Sequence, residues 1–428
     1  MEMTLPYSTT GMSLHLDDDL DVEILESSIS AMPKSDKSED EIVVEAMNNP
    51  IGSSRLSQLA KGKKKIVIIC SDHTRPVPSK HIIPFMLKEI RESNPEADIT
   101  LLIATGFHRA STREELVNKF GEEVVANENI LVHDSQNMED VVDIGILPSG
   151  APLLINKIAA KADLLISEGF IETHFFAGFS GGRKSVLPGV SSKVTVLGNH
   201  CSQFIDSPYS RTGILDKNPI HVDMVAAAKM AHLVYIVNVI IDADKKIVRA
   251  FAGDALKAHE AGCDFLKNYC QVIPKQKADI AISTNGGYPL DQNMYQSVKG
   301  MTAAESATKE GGIIIMVSNC GDGHGGEGFY KALKECSNPK AFMQEILAVP
   351  QDETKPDQWE YQIQTRILMH HDVIYVMCKE SRSIAQEMGF LTADSVDEAL
   401  DMALKKTGRQ AHIAVIPDGV SVMVTDAK

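Results

Sequence analysis

A two-unit α/β fold is what this sequence predicts, on three observations. Short apolar runs recur along the chain, each beside helix-like sequence, which is the pattern of buried parallel strands alternating with helices. Polar segments rich in glycine or histidine fall where those strands end. The chain has 428 residues, enough for two domains and a sizeable core.

The elements follow in order. Residues 66–70 read as a strand, and Ser79 stands where it can cap the helix after the loop 71–78. Residues 99–104 form the next strand, and Ser111 with Glu114 makes a capping box for a helix to Phe120. Residues 164–167 are a third strand, and 234–241 with 247–252 form a hairpin around 242–246. A helical pattern over 251–272 stops at Pro274, and 280–283 opens a second set of strands. That set continues with strands at 313–318 and 372–377 and helices near 329–336 and 395–406. The expected units are therefore 1–270 and 277–408, with the boundary near 265–277. The tail 409–428 is strand-like over 412–424 and is free to pack back on either unit, the first included. One internal echo links the two: Lys161-Ala-Asp-Leu-Leu-Ile-Ser167 resembles Lys277-Ala-Asp-Ile-Ala-Ile-Ser283, and a glycine-containing loop follows each.

Composition excludes several function classes. The formal net charge is −16, which repels phosphate backbones and anionic lipid, so neither nucleic acid nor membrane is expected as a partner. Aromatic residues make up 5% with one Trp, too few for stacking along a nucleic acid strand. Seven Cys without a C-x-x-C pattern point to reduced thiols, and the first residues lack a basic start and an apolar stretch. A cytoplasmic enzyme is the expectation. Any anionic substrate must then be met by a local cluster of cations.

Ligands in open α/β sheets bind at the carboxyl ends of strands, and four segments lie there. The first, Ser71-Asp72-His73-Thr74-Arg75-Pro76, offers an acid, a hydroxyl and a planar guanidinium. The second, Thr105-Gly106-Phe107-His108-Arg109, puts an imidazole directly after a strand. The third runs from Glu168 through His174, Ser180 and Gly182 to Gly189, with Asn199-His200 beyond. It has the flavour of a phosphate loop, yet Arg183 stands where G-x-x-x-x-G-K-[ST] requires glycine, so the match fails. What remains is a loop that presents the amine of Lys184, a candidate covalent attachment point. The fourth, Asn285 to Gly300, is expected to start a helix at Asp291, with Gln292, Tyr295, Gln296 and Lys299 on one face. The glycine-rich stretch 321–328 and Trp359 are further candidates for lining the cleft.

At these residues the chain resembles the nickel-pincer-nucleotide lactate racemases, essentially end to end. The resemblance is carried by SDHTRPVP (71–78), ATGFHR (104–109), SEGFIETHFFAGFSGGRKSVLPG (167–189), Asn199-His200, STNGGYPLDQNMYQSVKGMTAAE (283–305), GDGHGGEGFY (321–330) and the surroundings of Trp359. It implies two α/β domains with a cleft between them. It implies a pyridinium-3,5-bisthiocarboxylic acid mononucleotide joined to Lys184, with nickel held by the cofactor and His200. It makes His108 and His174 the catalytic pair, and Arg75, Lys299, Gln296, Tyr295 and Trp359 the substrate contacts. Asp72, Thr74, Arg75, Ser180 and Gly182 line the cofactor. The substrate implied is lactate, and the cofactor would be supplied by separate biosynthetic enzymes.

The chemistry suits the residues. The carbinol hydrogen of a 2-hydroxy acid is far too weakly acidic for an imidazole of ordinary pKa about 6.5. If it leaves with its electron pair to a cofactor, a histidine has only the hydroxyl proton to move. Two histidines then serve the two enantiomers. Other readings stand beside this one. The substrate could be malate, a longer aliphatic acid or an aromatic one. His108, His174 and His200 could form a three-histidine zinc site of a hydrolase. A non-catalytic binding protein is the last alternative.

Overall fold

The computed structural model describes residues 1–33 and 35–426, and it contains two six-stranded sheets flanked by helices. The first sheet runs Ile247–Asp254, Leu233–Ile241, Leu164–Phe170, Lys65–Ser71, Asp98–Ala104 and Asn129–Val132. All neighbours are parallel except the outer hairpin. The second runs Leu391–Ala393, Asp372–Val376, Thr308–Val317, Ala278–Thr284, His412–Ile416 and Asp21–Ile24, parallel throughout. The apolar runs form strands because both faces are covered: Ile66 to Cys70 and Leu101 to Ile103 are out of solvent, as are Ile313 to Val317.

Chain order reverses once in each sheet, and the reversal positions the site. In the first sheet it falls between Lys65–Ser71 and Leu164–Phe170. The loops leaving those strands carry Asp72, Thr74 and Arg75 on one side and His174 and Lys184 on the other. A crevice opens at such a point because neighbouring connections leave to opposite faces. In the second sheet it falls between Ala278–Thr284 and His412–Ile416.

The echo at 161–167 and 277–283 has a structural counterpart. Asp163 Oδ2 accepts from the backbone N–H groups of Lys64 and Lys65 at 3.1 and 2.9 Å. Asp279 Oδ2 accepts from the N–H of His412 at 2.9 Å. Each aspartate fastens the start of the adjacent parallel strand, and each strand delivers a site loop at its far end.

Several expectations are corrected. The first 24 residues do not join the first sheet. The hairpin Glu2–Tyr7 and Thr10–His15 lies on the second sheet, with Leu5 and Leu14 buried against Ile280, Ile282 and Ile315, and Asp21–Ile24 forms that sheet's edge. The tail follows it: His412–Ile416 is an inner strand of the second sheet, and Met423–Val424 pairs with Gln271–Val272. The capping box is Thr112 with Glu115, one residue later than expected, because Ser111 Oγ is bonded to His73 Nδ1 at 3.0 Å. Ser79 caps nothing. It begins a short 3-10 turn, and the helix Ile83–Ser93 starts instead with proline in its first turn. The helix predicted over 251–272 is Lys257–Cys270, since the preceding strand extends to Asp254. Leu14→Ala should cost about 3 kcal/mol, the usual toll for emptying a fully buried leucine site. Urea unfolding checks it, and a loss under about 1 kcal/mol would mean that the hairpin is not part of this core.

Candidate active site

The loop after Lys65–Ser71 folds around Asp72. Its buried carboxylate accepts at Oδ1 from the Thr74 N–H and hydroxyl, at 3.2 and 2.7 Å. At Oδ2 it meets His108 Nδ1 at 2.7 Å. Burial pushes this carboxyl up, but the hydrogen bond and charge of His108 outweigh it and hold Asp72 below its ordinary value. An ionised Asp72 holds a proton on His108 Nδ1, so the neutral ring presents its lone pair at Nε2. Thr74 Oγ1 lies 3.1 Å from the same Nδ1, so it braces this pair. The guanidinium of Arg75 is exposed and has no ion pair among the described residues.

The loop after Leu164–Phe170 is a small hairpin of Thr173–His174 and Gly178–Phe179. His174 Nδ1 accepts from the N–H of Ala177 at 3.2 Å, so the neutral ring carries its proton on Nε2. The ring stacks on Phe175 and meets Phe176 edge-on, with centroids 5.1 and 4.5 Å away. Burial, then the charges of Lys184, Lys299 and Arg75, hold His174 well below the ordinary imidazole value. Lys184, Lys299 and Arg75 thus converge on one ring, in a chain of net charge −16.

Lys184 sits in a 3-10 turn, Gly182–Ser185, just after two glycines with positive φ. A side chain at Gly182 would meet the His259 ring at 2.7 Å. The Gly182 N–H donates to Asn238 Oδ1 at 2.7 Å, so it is a backbone joint and not a free anion donor. Ser180 Oγ is likewise engaged, with Glu172 Oε1 at 3.3 Å. Burial and then Arg183 and Arg75 push the Lys184 amine well below the ordinary lysine value. It lies 5.9 Å from the Phe176 ring centroid and makes no side-chain hydrogen bond among the described residues.

His200 ends the helix Lys193–Asn199 and is 5% exposed. Its ring meets Phe176 and Trp359 edge-on, each at 5.2 Å. Nδ1 is buried with no hydrogen-bond partner among the described residues. Burial and then Lys184 push this imidazole down to about 3. A neutral ring with an unclaimed lone pair is the form that binds a metal ion.

The second unit supplies the other wall. The helix Met294–Ala307 is capped by Asn293, whose Oδ1 accepts from the Gln296 N–H at 2.9 Å. Gln292 lies before this helix and is off the face predicted for it. Lys299 Nζ donates to Gln296 Oε1 at 2.6 Å. The stretch 321–328 serves this helix start: the carbonyls of Gly323 and His324 accept from Met294 and Tyr295. Trp359 begins the helix Gln358–His370 and reaches Phe107 at 6.1 Å as well as His200. His108, His174 and His200 do not close on one point. Among the described residues no group of three His, Cys, Asp or Glu is placed to hold a metal ion, so the three-histidine zinc site is not formed.

Two residues to which the sequence assigned no role support the rest. Arg183 is wholly buried. It donates to the carbonyls of Phe179, Gly181 and Ala177 at 2.6, 3.2 and 2.8 Å, and from Nε to His221 Nδ1 at 3.1 Å. Asn238 anchors Gly182, and its signal was visible: one amide inside the apolar run 234–241.

The buried histidines give a pH dependence. His259 is held well below 6.5, and His221 is pushed down to about 3, by burial first and then by Arg183. His174 is lowered too. Their folded values lie below the unfolded value of about 6.5, so below that pH the unfolded chain binds more protons. Stability is therefore full above about pH 6.5 and falls below it, by up to ~1.4 kcal/mol per pH unit for each histidine. Urea midpoints should drop steeply from pH 7.5 to 5.5, and a flat profile would contradict the burial.

Comparison with known proteins follows from this geometry. The family profile for the lactate racemase N-terminal domain matches residues 7–213, and that for the C-terminal domain matches 273–424. A lactate racemase of Thermoanaerobacterium thermosaccharolyticum is 53% identical over 99% of both chains. One of Lactiplantibacillus plantarum is 53% identical over 98% of this chain and 99% of its own. The solved structure of the T. thermosaccharolyticum lactate racemase apoprotein superposes with a TM-score of 0.95, covering 99% of this chain and 100% of that one. A Thermotoga maritima protein, 18% identical with a TM-score of 0.64 over 92% of this chain and all of its own, shares the fold. With both profiles matched and half of all positions identical over nearly the whole length, this chain belongs to the lactate racemase family.

Proposed function

We propose that this protein interconverts L- and D-lactate using a nickel-pincer nucleotide, pyridinium-3,5-bisthiocarboxylic acid mononucleotide, attached to Lys184. The observation that carries this reading is the pair His108 and His174, whose Nδ1 atoms are held in opposite roles, with Lys184, Lys299 and Arg75 converging on His174. The residues present fit the cofactor. Lys184 offers an amine whose charged form is disfavoured by burial and then by Arg183, and His200 offers a buried neutral imidazole for nickel. When bound, the cofactor would accept the carbinol hydrogen with its electron pair and return it to either face.

The chain's own residues do the rest. Arg75 and Lys299 bind the carboxylate, Arg75 through its planar fork. His108, with its Nδ1 proton held by Asp72, presents a bare Nε2 that takes the hydroxyl proton. His174 presents an N–H to the oxygen on the other side. In the reverse direction the two exchange roles. Phe107, Trp359 and Phe176 keep water from the crevice. Tyr295 and Gln296 line the substrate end beside Lys299. Thr74, Ser180 and Gly182 act through the groups that they hold. The seven free cysteines suit a reducing cytoplasm. Among the described residues no helix is long and apolar enough to cross a membrane. Separate biosynthetic enzymes would supply the cofactor, and neither nucleic acid nor membrane is a partner.

Intact mass and lactate racemisation, measured on one sample co-produced with the cofactor-making enzymes, test this. The expected result is added mass, bound nickel and D-lactate from L-lactate, with Lys184→Ala losing all three. Added mass without lactate turnover, but with turnover of enantiopure malate, a longer aliphatic acid or an aromatic one, would move the substrate. Turnover at full rate without added mass would overturn the attachment. His108→Ala and His174→Ala should each lower kcat by ~10²–10⁴-fold. Asp72→Asn should lower kcat by at least ~10²-fold, because the amide no longer holds the His108 proton on Nδ1. A smaller loss would mean that Asp72 merely shapes the loop.

A further inference from the structure

Lys119 is a half-buried amine with no part in the steps proposed for the reaction. It stands in the last turn of the helix Arg113–Phe120, whose end is anchored by Phe120 in the same core cluster as Val77. Its Nζ donates to the carbonyl of Arg75 at 3.1 Å and to that of Val77 at 3.3 Å. No carboxylate among the described residues forms an ion pair with it. The loop that it grips is held at its other end by Glu168, which is 3% exposed and accepts at Oε1 from the Ser71 N–H and hydroxyl at 2.8 and 2.9 Å. A carboxylate thus takes the N–H that opens the loop, and an ammonium takes two carbonyls near its close. The Arg75 N–H makes a long bond, 3.3 Å, to the Asp72 carbonyl, so the Lys119 contact is the shorter anchor of the Arg75 backbone.

We infer that Lys119 is a positioning residue for substrate binding, which fixes the Arg75 backbone so that the guanidinium meets the lactate carboxylate. The inference rests on Arg75 binding that carboxylate. An exposed arginine has many rotamers, and its bidentate grip is strong only when little freedom is left to lose. Anchoring the carbonyl at its root removes the backbone share of that freedom. A charged donor suits the task, because its hydrogen bonds are stronger than those between neutral groups. The His108 side is held separately. Asp72 bonds to His108, and Arg109 forks onto Glu115 in the first turn of the same helix, at 2.8 and 2.6 Å. Losing the Lys119 amine therefore loosens Arg75 and leaves the imidazole in place. Lys119 acts on binding and not on the chemical step, because the carboxylate is held alike before and during the reaction.

The test is KM and kcat for lactate in cofactor-loaded native enzyme, Lys119→Met and Lys119→Arg. Lys119→Met should raise KM by at least ~10-fold and leave kcat within about threefold of native. Lys119→Arg keeps donors for both carbonyls and should bring KM back to within about threefold of native. Hydrogen exchange of the full chain, without cofactor or lactate, reads the anchor itself. In Lys119→Met the amides of residues 72–77 should exchange at least ~10-fold faster, while those of the strand Lys65–Ser71 stay as in the native chain. A Lys119→Met enzyme with KM within about threefold of native would overturn the inference. So would a kcat that falls as far as KM rises, or faster exchange spread over the whole first sheet. If the methionine variant does not fold, Lys119→Gln carries the same measurements. Loaded native enzyme without lactate turnover would sink the racemase reading instead, and exchange would still decide the anchor.

Discussion

A guanidinium without a carboxylate partner is an expensive thing to bury, and Arg183 is buried completely. Its charge is met by carbonyl dipoles of Ala177, Phe179 and Gly181, with His221 at Nε. Those carbonyls belong to the turn and return strand of the Thr173–Phe179 hairpin and to the glycine joint after it. Fixing them fixes the His174 ring on one side and the Lys184 stem on the other. The glycines are required because the chain must pass under Asn238 and His259 with positive φ, where a side chain would collide. The same charge depresses the amine beside it. One buried cation thus fixes the backbone around Lys184 and adds to burial in disfavouring the charged form of its amine.

How the sequence carries this is uneven. Strands buried on both faces announce themselves as apolar runs, and their loops announce themselves by polarity, so the four site segments were legible. Arg183 was visible only as a violation of a phosphate-loop pattern, and its cause was the carbonyl cage, which is a three-dimensional fact. The N-terminal hairpin gives a weak signal because Leu5 and Leu14 are its fully buried side chains and the polar residues between them dilute the pattern. The strand that follows it, Asp21–Ile24, pairs with His412–Ile416 of the tail, nearly 400 residues away in sequence. Periodicity cannot report pairing over that separation. Ser111 and Thr112 are equivalent as caps, and only the bond from Ser111 to His73 decides between them.

The crevice belongs to both units. His200 comes from the first and Trp359 from the second, and their rings touch. Gln362 reaches across to the Ser202 carbonyl and Gln351 to that of Gly198, on either side of His200. The Thr173 hydroxyl, beside His174, donates to the Val420 carbonyl of the tail at 2.8 Å. The tail enters the second sheet at His412–Ile416 and then crosses to touch the hairpin that carries His174. The docking of the units and the shape of the site therefore depend on the same few hydrogen bonds.

The two imidazoles illustrate what this construction achieves. Chemically identical side chains would act identically in water, near their ordinary pKa. Here a carboxylate claims Nδ1–H of one, and a backbone N–H claims the Nδ1 lone pair of the other. The first faces the crevice with a lone pair, the second with a proton. Around His174 the positive charges disfavour a second proton on the ring, and they favour negative charge developing on an oxygen that it contacts. Racemisation asks for this kind of asymmetry within a symmetric task. An oxygen must be relieved of a proton on one side and offered one on the other.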